Sequence, residues 1–251
     1  RPAPDLSLVP VNDDVEFYFA LAFTTDSSHD GLFTPFWDQA ITPEVVARLK
    51  QDNDTRKFLA SLGGATFPWH EPADKQMWID NAVASLGSLI ETYSLDGIDV
   101  NYEGGIGESF VEVVGRVATG LKEQVGAVVS ITPFNATWDI YQALYNEYGD
   151  SIDWINYQAY ADGLDKQGYL DLFDRLAETT GYEKLVLGIA SSTTSPRGLQ
   201  PPEIYDILND LQDRGVGGAM IWTLEDSVET NPPYAIESTV EGILVGGGSD
   251  G

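Results

Sequence analysis

The chain of 251 residues has no cysteine, only two histidines, and 13 basic residues against 40 acidic ones. The missing thiols exclude disulfides, a thiolate nucleophile and cysteine-ligated zinc, and a chain this long buries enough core to fold without covalent staples. With His29 and His70 as the only imidazoles, the usual zinc triads are unavailable, so neither a catalytic metal nor a cofactor is expected. The shortage of positive charge leaves a formal net charge of -27. Such a surface repels nucleic-acid phosphates and anionic membranes, so neither is an expected partner and a neutral substrate is favoured. Cations would bind only weakly and diffusely at the surface, because no EF-hand-like spacing gathers the carboxylates. Also absent are an apolar run of the roughly 18 residues that span a bilayer and a signal-peptide pattern ahead of Arg1, so a soluble chain is expected.

What is present is a globular composition, 43% hydrophobic and 11% aromatic, so the acidity belongs to a folded surface rather than to a disordered chain. Seven short β-rich runs recur: Glu16 to Phe23, Lys57 to Gly63, Gly97 to Glu103, Ala127 to Pro133, Trp154 to Tyr160, Lys184 to Ala190 and Gly218 to Leu224. Between them lie helical periods such as Trp78, Ala82, Leu86, Leu89, Ile90 and Tyr93, or Ile204, Ile207, Leu208 and Leu211 ahead of Gly215. Strand and helix alternate throughout, which predicts an α/β fold with a parallel sheet, either a closed eight-stranded barrel or an open doubly wound sheet. No glycine-rich phosphate loop follows the first strand, which counts against the dinucleotide-binding version. No linker cuts the chain, so residues 1–245 are expected to form one domain, with Gly246 to Gly251 as a flexible tail. Arg1 to Asp14 holds three prolines and reads as a loop, which leaves a barrel one strand short.

Chemistry concentrates in Leu95 to Glu103. Ile98, Val100 and Tyr102 alternate there with Asp99, Asn101 and Glu103, and period two places the three polar residues on one face. In a barrel that face is the interior, with Glu103 at the mouth, where strand ends build sites. An edge strand with its polar side in water is the plainer alternative, and the flanking helices argue against it.

The run from Asp96 to Glu103 resembles the DxxDxDxE signature of family 18 glycoside hydrolases, with Asn101 in place of the last Asp. Ser61-Leu62-Gly63-Gly64 is similar to the family's SxGG motif, Tyr157 to Tyr160 to its strand-six motif, and Gly217 to Trp222 to its strand eight. Phe19 to Phe23, Phe36 to Asp38 and Tyr141 to Leu144 resemble the plant chitinases of tulip-bulb type and narbonin. The resemblance implies a single-domain (β/α)8 TIM barrel in which Glu16 to Phe23 is the second strand and the first is missing or lies upstream of this chain.

It further implies substrate-assisted hydrolysis of chitin or N-acetylglucosamine oligosaccharides. Glu103 would be the acid and then the base, with Asp99, Asn101 and Tyr160 beside it, Tyr160 contacting the acetamido carbonyl. Trp222 would be the sugar platform, with Met220 below it and Gln158 and Phe23 shaping the site. A secreted or vacuolar location follows from the same likeness. The family Asp that Asn101 replaces offsets positive charge on the intermediate; an amide hydrogen-bonds but carries no charge. Three functions are therefore compatible with the sequence: a chitinase slowed by Asn101, a silent carbohydrate-binding relative, and a protein for storage or for holding calcium on its acidic surface.

Overall fold

The computed structural model describes residues 4–192 and 199–246. Two compact units make up the chain, Tyr18–Asp153 and a second that joins Arg1–Phe17 to Trp154–Gly251.

The Tyr18–Asp153 unit carries β1 (Phe17–Thr25), β2 (Thr34–Pro35), α1 (Pro43–Asp52), β3 (Arg56–Gly64), α2 (Lys75–Tyr93), β4 (Gly97–Tyr102), α3 (Phe110–Val125), β5 (Val128–Ile131) and α4 (Trp138–Tyr148). Its strands run in the order β2-β1-β3-β4-β5. The short β2 is antiparallel to β1, whereas β3, β4 and β5 are parallel neighbours. Local chemistry starts the helices: Thr42 caps α1 with Pro43 in its first turn, and the Asp74 carboxylate accepts the Met77 N–H to open α2. The stripe of Trp78, Ala82, Leu86, Leu89 and Ile90 is buried, as its period predicts, while every residue of β4 is buried because the strand is covered on both faces.

The second unit carries β6 (Trp154–Tyr157), α5 (Lys166–Thr180), β7 (Leu185–Ala190), α6 (Glu203–Gln212), β8 (Gly218–Trp222), α7 (Leu224–Ser227) and α8 (Ala235–Gly246). Its strands lie in the order β6-β7-β8 and are parallel. Ile204, Ile207, Leu208 and Leu211 are the buried face of α6.

All seven β-rich runs are strands, and the two-residue β2 is an addition that its length hides from any periodicity. Three strand ends need correction because they fall short by two residues or more: the run to Pro133 stops at Ile131, the run to Leu224 stops at Trp222 because Leu224 opens α7, and the run expected to continue to Tyr160 stops as a strand at Tyr157. Gln158 leaves the extended region at ψ 67°, and Ala159–Ala161 is a 3-10 turn. The Tyr169 hydroxyl holds that turn through the Ala159 and Asp162 carbonyls, at 2.9 and 2.7 Å. From residue 4 to residue 14 the chain is loop apart from a 3-10 turn at Leu6–Leu8, as the prolines suggest. Of the expected tail only Gly246, the last residue of α8, falls within the described residues.

Candidate active site

Strand β4 divides its polar residues into distinct tasks. Asp96, just before the strand, accepts from Lys50 Nζ at 2.9 Å through both oxygens and from the Phe58 N–H at 2.8 Å, so it ties α1 and the start of β3 to the start of β4. Register places Ser61, Asp99 and Ser130 in one row across β3, β4 and β5. The Asp99 carboxylate, 3% exposed, accepts from Ser61 Oγ at 2.8 Å, Ser130 Oγ at 2.7 Å and Thr132 Oγ1 at 2.6 Å. Three hydroxyl donors offset much of the cost of burying it. Asn101, also buried, lies opposite Gly63. Glu103 follows the last strand residue and is half-buried at the strand's C-terminal end.

The strand end is fixed from α4. Tyr141 is fully buried, its hydroxyl accepts the Tyr102 N–H at 2.8 Å, and the same oxygen lies 3.0 Å from the Tyr102 carbonyl to which it donates. Burial, with lesser help from the charges of Asp99 and Glu103, pushes this phenol well above its ordinary pKa and keeps it a donor. Phe23 reaches the same end of the sheet for a different reason. Gly63 and Gly64 both have positive φ, and a Cβ on Gly64 would stand 2.4 Å from the Phe23 ring, so the second glycine is what leaves room for that ring.

In the second unit the Tyr160 hydroxyl donates to Gln158 Oε1 at 3.0 Å, so the corrected boundary still brings these two side chains together. Trp222 ends β8 opposite Ala190, and Met220 lies opposite Gly188. Trp222 is 40% exposed, a wide apolar face left in solvent. Its carbonyl accepts the Ser191 N–H at 2.8 Å, and Ser191 Oγ accepts the Thr223 N–H at 2.7 Å, which anchors the backbone around the ring. The peptides Ala22–Phe23 and Trp222–Thr223 are cis.

Several contributors escaped the sequence reading. Ser130 and Thr132 carry the same period-two signal inside an apolar run that singled out β4, and could have been found by it. Tyr169 and Ser191 carry none, because their partners are backbone groups of other elements, and Tyr141 was marked only by the resemblance of its segment, not by any sign of its role. His29 and His70, the two imidazoles, are exposed with ring centroids 3.8 Å apart. Among the described residues no group of three or more His, Asp or Glu is placed to hold a metal ion, and no helix is long and apolar enough to cross a membrane.

Residues 18–198, well over half of the chain, match the model of the glycosyl hydrolases family 18. The chain belongs to that family. It is 33% identical to Chitinase 1 of Tulipa saxatilis subsp. bakeri, over 94% of this chain and 81% of that protein. The RuBisCO-associated protein of Glycine max is 28% identical, with 86% of each chain covered. Among solved structures, the family 18 chitinase from Crocus vernus matches with a TM-score of 0.88 and 30% identity, covering 96% of this chain and 94% of that one. Of the two α/β forms that the alternation of strands and helices left open, this likeness supports the (β/α)8 barrel, the one that the motif resemblance implied.

Proposed function

We propose that the chain is a chitinase that hydrolyses β-1,4 bonds in N-acetylglucosamine oligosaccharides, with Glu103 as acid and base. The observation that carries the reading is the division of labour on β4. Asp99 is engaged by three hydroxyls four residues back, while Glu103 stands half-buried at the strand's end, where a substrate can reach it. One carboxyl at the strand end suits a reaction whose nucleophile is the substrate's own acetamido oxygen. Glu103 gives its proton to the glycosidic oxygen as the C1–O bond breaks, and the acetamido oxygen bonds to C1. Glu103 then takes a proton from water as the water opens the oxazolinium ring, so the configuration is retained. On the resemblance of their motifs Tyr160 would meet the acetamido carbonyl and Trp222 the sugar face, and the tulip and crocus relatives, both chitinases, support the substrate class.

A second reading has its own support. Asn101 removes the charge that would stabilise the cationic intermediate, and a relative of similar coverage is a RuBisCO-associated protein, so a silent carbohydrate-binding or storage role is the alternative. Incubation with a chitin hexasaccharide, followed by mass spectrometry across a pH series, separates the two. Shorter oligosaccharides are expected. Intact hexasaccharide at every pH would refute the hydrolase and favour the second reading.

A further inference from the structure

Glu103 lies one residue beyond the end of β4. The residues on either side of it meet the loop between β3 and α2. Trp69, 2% exposed, donates its backbone N–H to the Gly104 carbonyl at 2.8 Å. The ring of Trp69 meets Tyr102 edge-on at 5.4 Å and Phe110, the first residue of α3, at 5.2 Å. One side chain and its amide thus contact the residues before and after Glu103. The approach is close: at Gly105, φ +69°, a Cβ would stand 2.3 Å from the Trp69 carbonyl oxygen.

Two residues on, Glu71 closes the other end of the same loop. Its carboxylate accepts from Trp69 Nε1 and from the Ser109 N–H, each at 3.3 Å, and from Ser109 Oγ. Ser109 is the N-cap of α3, yet its own side chain makes no capping bond. Glu71 takes over the task from another loop, where a carboxylate also suits the positive end of the helix dipole. Partial burial opposes the charge, but the donors from Ser109 and Trp69, with the charge of Lys75, outweigh it and lower the carboxyl pKa. The residues from Gly104 to Ser109 are therefore clamped at both ends by Trp69 and Glu71.

We propose that Trp69 and Glu71 are positioning residues for Glu103, holding the acid at the end of β4 through Gly104, Tyr102 and Ser109. The proposal rests on Glu103 being the acid of the proposed hydrolysis, so its test has an arm that does not need turnover. Native protein, Glu71→Ala and Glu71→Gln are compared for hexasaccharide kcat and KM, for the pH profile of kcat, and for the 13C titration curve of the Glu103 carboxyl. Misplacement of a catalytic group predicts a kcat lower by about 10- to 100-fold in Glu71→Ala with KM nearly unchanged. Glu71→Gln keeps an oxygen acceptor and recovers most of the loss, and the Glu103 titration curve of Glu71→Ala departs from the native one. Unchanged kcat and an unchanged titration curve overturn the proposal, as does a Gln variant no better than the Ala variant. If the native chain cleaves nothing, the hydrolase reading falls and the titration curve alone decides on the positioning role. If Glu71→Ala does not fold, Ser109→Ala, which removes the hydroxyl donor to Glu71, is compared with native protein: a shifted Glu103 curve supports the clamp, and an identical one overturns it.

Discussion

Asp99 and Asn101 stand two residues apart on one face of β4, both buried, and only the first has a charge to satisfy. Restoring a carboxylate in Asn101→Asp places two of them about 7 Å apart along the strand. On the proposed chemistry this raises kcat on the order of 10²-fold, because the cationic intermediate regains its counter-charge. The same change lowers stability by roughly 1–3 kcal/mol at neutral pH, because a buried charge arrives without new donors. Hexasaccharide kinetics and urea unfolding read the two effects separately, and a variant destabilised but no faster would show that Asn101 is not what limits the rate. Tyr141→Phe tests the clamp from α4. It leaves the buried Tyr102 N–H without its acceptor, at a cost of about 1–3 kcal/mol in urea unfolding, whereas a loss under about 0.5 kcal/mol would mean that the strand end holds itself. Glu103 and Asn101 were legible because period two exposes a polar residue in an apolar run. The role of Tyr141 was not, since in a helical pattern it reads as one more core aromatic and its partner lies 39 residues away.

At the scale of elements, α8 departs most from its pattern. Glu237 and Glu241, one turn apart, read as its polar face, yet they are 1% and 7% exposed. The second accepts the Asn12 N–H at 3.2 Å, so the segment before β1 covers this side of the helix within the same unit. Ser227 Oγ donates to Glu237 Oε2 at 2.5 Å, but Glu237 Oε1 and the Tyr234 hydroxyl are buried without a hydrogen-bond partner. Burial raises both carboxyl pKa values, and the charge of Glu237 adds to the rise at Glu241. A carboxyl raised on folding contributes stability that is present below its unfolded pKa and lost as pH rises through its folded value. Glu237→Gln is therefore expected to stabilise the fold at neutral pH by on the order of 1 kcal/mol and to gain nothing at pH 4. Urea unfolding at the two pH values checks this, and an equal effect at both would show that the gain is not electrostatic. The seven strands were legible because each is a short apolar run bounded by turns, and the stop of β6 at Tyr157 was not. That stop depends on Tyr169, a residue of α5 whose hydroxyl bonds the Ala159–Ala161 turn.

For the whole molecule the dominant quantity is charge. Thirteen basic residues cannot neutralise forty acidic ones, and Lys50, Lys75, Lys122, Lys166 and Arg214 are already paired with Asp96, Glu112, Asp153, Asp210 and Asp174. The remaining carboxylates repel one another, an effect that grows as pH rises and shrinks as salt shortens the Debye length. Individual groups pull in two directions. Glu237, Glu241 and Asp162 have raised pKa values, chiefly from burial, and favour the fold on the acid side. Glu71, Glu112 and Asp174 have lowered values, with donors from Ser109, Lys75 and Tyr182, and lose their contribution as pH falls through the folded values. Self-repulsion sides with the first group, so the melting temperature should peak on the mildly acidic side, at about pH 5, rather than near neutrality. Added sodium chloride should raise the melting temperature at pH 8 by more than at pH 5, because more charge is there to screen. Thermal unfolding at two salt concentrations over that range tests both statements. A salt effect equal at the two pH values, or a maximum above pH 7, would mean that local pairing rather than net charge governs the stability of this chain.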